Sequence, residues 1–149
     1  TIHIAMWNCF YFLLFYTRLK HLKLELARLR EKNPEKLKGN KKAILYVSVI
    51  ETMRRIRDDP TQSIFLLGNT LGKTHRDWRR AKEGLPDRYR LFFKFFSKEK
   101  EVYYAWLNDE KTLRKEGAKT DCYRVFQHML DTGNVPSDRK NLFSQSKQK

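Results

Sequence analysis

Arg80 and Lys82 stand two residues apart in Asp77-Trp78-Arg79-Arg80-Ala81-Lys82, and Arg90 follows in Arg88-Tyr89-Arg90-Leu91-Phe92-Phe93. The two stretches read as adjacent β-strands. Along a strand, residues two apart share a face, so Trp78, Arg80 and Lys82 point the same way. A row of cations beside an aromatic ring suits a polyanion with stackable bases, which means RNA or single-stranded DNA. Guanidinium groups such as those of Arg80 and Arg90 can grip one phosphate through paired N–H donors. Lys73, His75, Trp78, Arg79, Arg88 and Lys94 lie around this row and are the candidate contacts to the rest of the nucleic acid. Each also has an ordinary structural reading, as a solvated cation or a core tryptophan. For Arg90 that ordinary reading is the weakest, because an idle charge among phenylalanines would be costly.

The formal net charge is +15 over 149 residues. That excess selects partners more than folds: nucleic acid, a ribosome, an acidic protein or an anionic membrane. It is uneven. Residues 18–57 hold 13 Lys/Arg against 4 Asp/Glu, residues 69–100 hold 10 against 4, and residues 101–149 hold 9 against 7. A polyanion site therefore belongs to the first two blocks. Cys9 and Cys122 are far apart, without metal-ligand spacing, and read as free buried thiols of a cytoplasmic protein. The apolar run Ile4–Tyr16 is shorter than the roughly 20 residues a membrane helix needs. It has no basic leader or cleavage site, and reads as a buried strand running into a helix. No membrane association, metal or cofactor is expected.

The elements that must position these groups follow from periodicity. Residues 2–7 read as a short strand. From Cys9 to Lys32, Phe12, Phe15, Tyr16, Leu19, Leu22, Leu26 and Leu29 recur at helical spacing. Asn33-Pro34 ends that helix and opens another, running to Arg57 and loosened near Gly39-Asn40. The short joint makes the two antiparallel. Three strands follow, at about 77–83, 87–96 and 101–107. Tight turns at Gly84-Leu85-Pro86-Asp87 and Ser97-Lys98-Glu99-Lys100 make them antiparallel. On the middle strand Tyr89, Leu91, Phe93 and Phe95 share one face; Arg88, Arg90, Phe92, Lys94 and Phe96 share the other. A last helix spans about Asp121–Thr132, capped by Gly133. The expectation is an α+β fold of order β-α-α-β-β-β-α. Its helical hairpin covers one face of a small antiparallel sheet and leaves the other to solvent or a partner. Residues 1–135 form a single domain, and 136–149 a polar, fraying tail.

Further segments carry a resemblance: Leu71-Gly72, Trp78-Arg79, Arg88 to Phe93, Ala105-Trp106-Leu107-Asn108-Asp109-Glu110, Thr112-Leu113-Arg114, Gly117, Lys119-Thr120-Asp121, and Tyr123-x-Val125-Phe126-x-x-Met129-Leu130. With the element order, they resemble the RelE-type bacterial toxins, in particular the YhaV branch. The close match covers about residues 71–131; the first 60 residues agree in element order more than in letters. The resemblance implies a RelE-like fold and a type II toxin, a messenger RNA interferase cutting mRNA on the ribosome. It implies silencing by an antitoxin that looks like PrlF, a small AbrB-like DNA-binding protein. Operon DNA would be reached indirectly, through that antitoxin.

RNA brings its own nucleophile: the 2′-OH attacks the adjacent phosphorus, leaving a 2′,3′-cyclic phosphate and a 5′-OH. The protein must supply a base, charge for the phosphorane oxygens, and an acid for the leaving oxygen. The candidates are Arg80, Lys82, Arg90, Arg114, Lys119 and Tyr123. A guanidinium, with a pKa above about 12, is no ordinary base, so Arg80 and Arg90 are clamps and Lys82 the candidate base. By the resemblance, Arg80 and Lys82 fall on paired basic strand positions and Arg90 on the arginine of a Tyr-Arg-Leu strand. Tyr123 can donate a proton or stack on a base. Arg114 can equally pair with Glu110, and Asp109 and Asp121 read as caps or ion-pair partners. Three functions stay open: ribosome-dependent endoribonuclease, non-catalytic RNA- or ribosome-binding module, and ParE-like gyrase inhibitor.

Overall fold

One sheet, apolar on both faces, organises the molecule. A computed structural model describes residues 6–148. Strand β1 (Asn8–Phe12) runs directly into helix α1 (Leu13–Lys32), and helix α2 (Lys41–Asp58) returns beside it. Strands β2 (Arg79–Ala81), β3 (Leu91–Phe96) and β4 (Glu101–Leu107) follow, then helices α3 (Cys122–Asp131) and α4 (Arg139–Ser144) and strand β5 (Ser146–Gln148). The sheet order is β2-β3-β4-β1-β5. β2, β3 and β4 pair antiparallel in sequence, with a bulge at Phe92/Phe93. β1 joins β4 in parallel, Asn8 opposite Glu101 and Tyr11 opposite Tyr104.

The α+β class and the expected hairpin are present, with shifted boundaries. Of the strand expected at residues 2–7, residues 2–5 lie outside the described residues, and Met6 and Trp7 precede the strand found at Asn8–Phe12. The apolar run gives no local mark of where extension turns to helix: Phe12 at the junction offers no side-chain cap. Asn33-Pro34 opens only a single 3₁₀ turn, Pro34–Leu37. Gly39, at φ +77°, breaks the chain fully, and Asn40 starts α2 by accepting the Lys42 and Ala43 N–H groups at 2.9 and 3.1 Å.

The alternation on β3 divides two cores. Leu91 and Phe93 face α1 and α2, against Phe15, Leu19, Leu22, Leu45, Val49 and Ile56. Phe92 faces the other way, against Trp78, Tyr103, Phe126, Leu130 and Leu142. This second core corrects the expectation of a bare sheet face: α3 and the C-terminal segment cover it. The fraying tail is corrected too. Asp138 caps α4, Val135 and Leu142 are buried, and β5 pairs antiparallel with β1. Its polar letters reflect an edge strand with one solvated side.

Candidate active site

β2 is an edge strand, extended by a bridge between Leu66 and Arg79. Alternation turns its neighbours apart. Ala81 enters the helix-hairpin core, and Arg79 lies over Phe95 on that side, 5.3 Å from the ring centroid. Arg80 faces α3. Its Nε–H donates to the Tyr123 hydroxyl at 2.9 Å, and Nη1 donates to the carbonyls of Ile64 and Leu66 at 3.3 and 3.1 Å.

Arg90 precedes β3 and reaches the same atom, its Nε–H donating to the Tyr123 hydroxyl at 3.1 Å. Its Nη1 donates to the Tyr89 carbonyl at 2.9 Å. Arg114 comes from the long β4–α3 loop, with its guanidinium 4.9 Å from the Tyr123 ring centroid. Three guanidinium groups thus surround one phenol on the first turn of α3. Among the described residues, Nη2 of Arg80 and of Arg90 has no intramolecular partner, so the outer edges of both forks are open to an anion.

Two buried residues hold the cluster. Asp121 is the α3 N-cap: Oδ2 accepts the Tyr123 N–H at 3.2 Å, and Oδ1 accepts the Lys115 N–H at 2.6 Å and Arg114 Nη1 at 2.9 Å. Burial opposes the charge on Arg114, and the Asp121 contact more than offsets it, holding that guanidinium above its ordinary range. Asn108 ends β4. Its Oδ1 accepts the Arg90 N–H at 2.8 Å, and its Nδ2 donates to the Arg88 and Thr112 carbonyls at 3.0 and 2.8 Å. Arg18 of α1 donates to the Asn108 carbonyl at 3.1 Å. Nothing local in the sequence marks this role of Asn108, because two of its three side-chain partners lie 18 and 20 residues away and only Thr112 is near in the chain. The Asp121 ion pair falls on Arg114, where the sequence suggested Glu110.

Of the expected catalytic residues, Arg80, Arg90, Arg114 and Tyr123 meet. Lys82, one residue beyond β2, and Lys119, in the loop before α3, are exposed. Of the expected nucleic-acid contacts, Lys73 and Arg88 are exposed; Arg88 adopts φ +70° and offers its carbonyl to the Arg114 N–H. His75 pairs with Asp131 at 2.7 Å. Trp78 is corrected: it is fully buried edge-to-face on Phe126 and is no stacking platform. Lys94 is corrected as well. It is only 6% exposed and bonded to Asp77 and the Ser137 carbonyl, each at 2.7 Å. Arg79 lies on the sheet face away from the cluster. Burial pushes the neighbouring Cys122 thiol up to about 11, so it is not a thiolate nucleophile near neutral pH.

Such an arrangement can hold a phosphate in two cationic forks beside a hydroxyl. Among the described residues no cluster of His, Cys, Asp or Glu is arranged to bind a metal, and no helix is long and apolar enough to cross a membrane. The family model described as "Toxin with endonuclease activity, of toxin-antitoxin system" matches residues 9–147. The protein named "Ribonuclease toxin YhaV" of Escherichia coli K12 is 40% identical over 121 residues, 79% of this chain and 77% of its own. "Toxin YhaV" of Escherichia coli O6:H1 (strain CFT073) is 38% identical over 127 residues, 83% of this chain and 81% of its own. No solved structure gives a significant match. A match over nearly the whole described chain, with relatives at this identity, means that the chain belongs to the YhaV family of toxins, endoribonucleases of toxin–antitoxin systems.

Proposed function

We propose that the chain cuts messenger RNA on the ribosome by driving attack of a 2′-OH on the adjacent phosphate. The observation that carries this reading is the hydrogen-bond inventory of Tyr123. A phenol hydroxyl offers one donor and limited acceptor capacity. Here its oxygen already accepts Nε–H from Arg80 and from Arg90. The O–H proton is therefore left to point outward, toward whatever anion the two guanidinium edges bind. That is the geometry of a general acid beside a phosphate clamp.

In this reading Arg80 and Arg90 hold the non-bridging oxygens and stabilise the phosphorane. Tyr123 hands its proton to the departing 5′-oxygen, and the flanking guanidiniums face the charge that remains. Lys82, exposed beyond the Arg80 position, takes the 2′-OH proton. Arg114 orients the tyrosine ring, while Lys119, Lys73 and Arg88 steady the flanking RNA. The silencing partner is a PrlF-like, AbrB-type antitoxin that ties the pair to operon DNA, and the site of action is the cytoplasm.

The test is a leaving-group substitution. On ordinary RNA, Tyr123→Phe should slow single-turnover cleavage by about 10²–10⁴-fold, the usual worth of a general acid. On RNA carrying sulfur at the bridging 5′ position, which departs without protonation, wild type and variant should cut at similar rates. An equal loss on both substrates would remove Tyr123 from this role. Mapping transcript 5′ ends in cells expressing the chain with and without the neighbouring operon gene tests the ribosomal substrate and the antitoxin.

A further inference from the structure

The sheet face opposite Tyr123 carries a groove that the nuclease chemistry does not use. It has a volume of about 580 Å³ and lies between α1, α2 and the β1–β5 edge. Tyr11, Tyr16, Leu19, Leu24, Tyr46 and Ile50 form its apolar surface. Lys20, Lys23 and Lys147 also line it, and no carboxylate does. Lys20 and Lys147 both stand over the Tyr16 ring, 5.9 and 5.4 Å from its centroid. Among the described residues none of these three lysines has an ion-pair partner, and Glu25, the nearby acid of α1, is engaged by Lys42.

An apolar trough walled by free ammonium groups is unsuited to burying a sugar–phosphate chain, which needs charge on the floor rather than at the edge. It suits a peptide that lays apolar side chains into the groove and places carboxylates beside the lysines. Membership of a toxin–antitoxin family supplies a protein partner. We propose that the groove is the docking site for a segment of the antitoxin with apolar anchors flanked by acidic residues. This rests on the family membership, not on the cleavage mechanism proposed above. The groove belongs to the helix-hairpin side of the sheet, whereas Tyr123 belongs to the α3 side. The anchor therefore grips the toxin away from the arginine cluster, and binding there separates from catalysis.

The experiment compares wild type with the triple variant Lys20→Glu/Lys23→Glu/Leu24→Asp, all three exposed positions. The probe is the antitoxin encoded by the neighbouring operon gene, titrated calorimetrically, with thermal melts to verify folding. The variant should bind antitoxin at least 100-fold more weakly, cut RNA at the wild-type rate, and escape neutralisation. A control with a similar change of charge elsewhere, Lys98→Glu/Lys140→Glu, should bind within threefold of wild type. Undiminished antitoxin binding by the triple variant would overturn the proposal. So would equal losses in both variants, which would reveal a general charge effect. Weakened RNA binding with intact antitoxin binding would assign the groove to RNA. A wild-type dimer dissolved by the triple variant, with intact antitoxin binding, would assign it to a second copy of the chain.

Discussion

The guanidinium of Arg114 lies over the ring of Tyr123, 4.9 Å from the centroid, and the Asp121 carboxylate holds it there at 2.9 Å. Asp121 also caps the helix that carries Tyr123, so one carboxylate fixes both the ring and the cation above it. Asp121→Asn keeps a good cap but loses the charge that holds Arg114. The expected result is a fall in kcat of up to about 10²-fold from a misplaced tyrosine, with KM little changed. Steady-state kinetics on a short RNA separates the two constants. A change confined to KM would mean that Arg114 serves substrate binding instead.

Asn108 makes a second prediction, about stability. Its buried amide satisfies the Arg90 N–H and the Arg88 and Thr112 carbonyls together. Asn108→Ala leaves the Arg90 N–H and the Thr112 carbonyl without that partner, while the Arg88 carbonyl keeps the Arg114 N–H at 2.9 Å. Each orphaned polar group costs about 1–3 kcal/mol, and local relaxation recovers part of that, so a net loss of about 3 kcal/mol is expected. Urea unfolding gives the value directly. A loss below about 1 kcal/mol would mean that the β4–α3 loop repacks and the network is not what positions Arg90.

The cations sort by burial into those that can and cannot neutralise phosphate. Lys94 is enclosed by Trp78, Phe96, Asp77 and the Ser137 carbonyl, whereas Lys73 and Arg88 are exposed. Replacing a phosphate-contacting cation reduces the slope of log affinity against log salt by about 0.7 for a single strand. Lys73→Met and Arg88→Met should each lower the slope by about that amount. Lys94→Met should leave it unchanged. Filter binding or anisotropy across a salt series on a non-cleavable RNA measures all three.

Much of this arrangement could be read from letters, and the parts that could not have physical causes in common. β3 and β4 were legible because a central strand with apolar residues on both sides leaves no competing pattern. Arg80 and Arg90 were legible because alternation along paired strands fixes their direction. Tyr123 came from the resemblance, since nothing within its helix says that its hydroxyl meets two arginines from other elements. β5 was hidden because Ser146-Lys147-Gln148 is an edge strand, whose polar side chains look like a tail. The covered second face was hidden because Phe92, Trp78 and Phe126 meet only after three separate elements have folded. Lys94 was misread because burial of a lysine depends on Asp77 and Ser137, which neither spacing nor composition connects to it.

The C-terminal segment carries a pH-dependent tie. Arg139 at the start of α4 donates to both oxygens of Glu101 on β4, Nε at 2.7 Å and Nη2 at 3.0 Å, and the Tyr103 hydroxyl donates at 2.8 Å. The Arg139 hydrogen bond, against the opposing effect of burial and with help from Tyr103, holds the Glu101 carboxyl below its ordinary range. A carboxylate depressed in the folded state stabilises fully above its unfolded pKa, about 4.3 for Glu. That contribution is lost as pH falls through the lower folded value. Glu101→Gln should therefore be less stable than wild type by a constant margin above about pH 5, and the margin should shrink as pH falls below about 4. Because the tie anchors α4, and through it the edge strand β5, amide exchange in residues 139–148 should speed up in the variant at neutral pH. Melting temperatures across pH 3–7, with exchange measured at pH 7, test both parts. A margin that persists unchanged at pH 3 would show that packing of the side chain, rather than its charge, holds the C-terminal segment to the sheet.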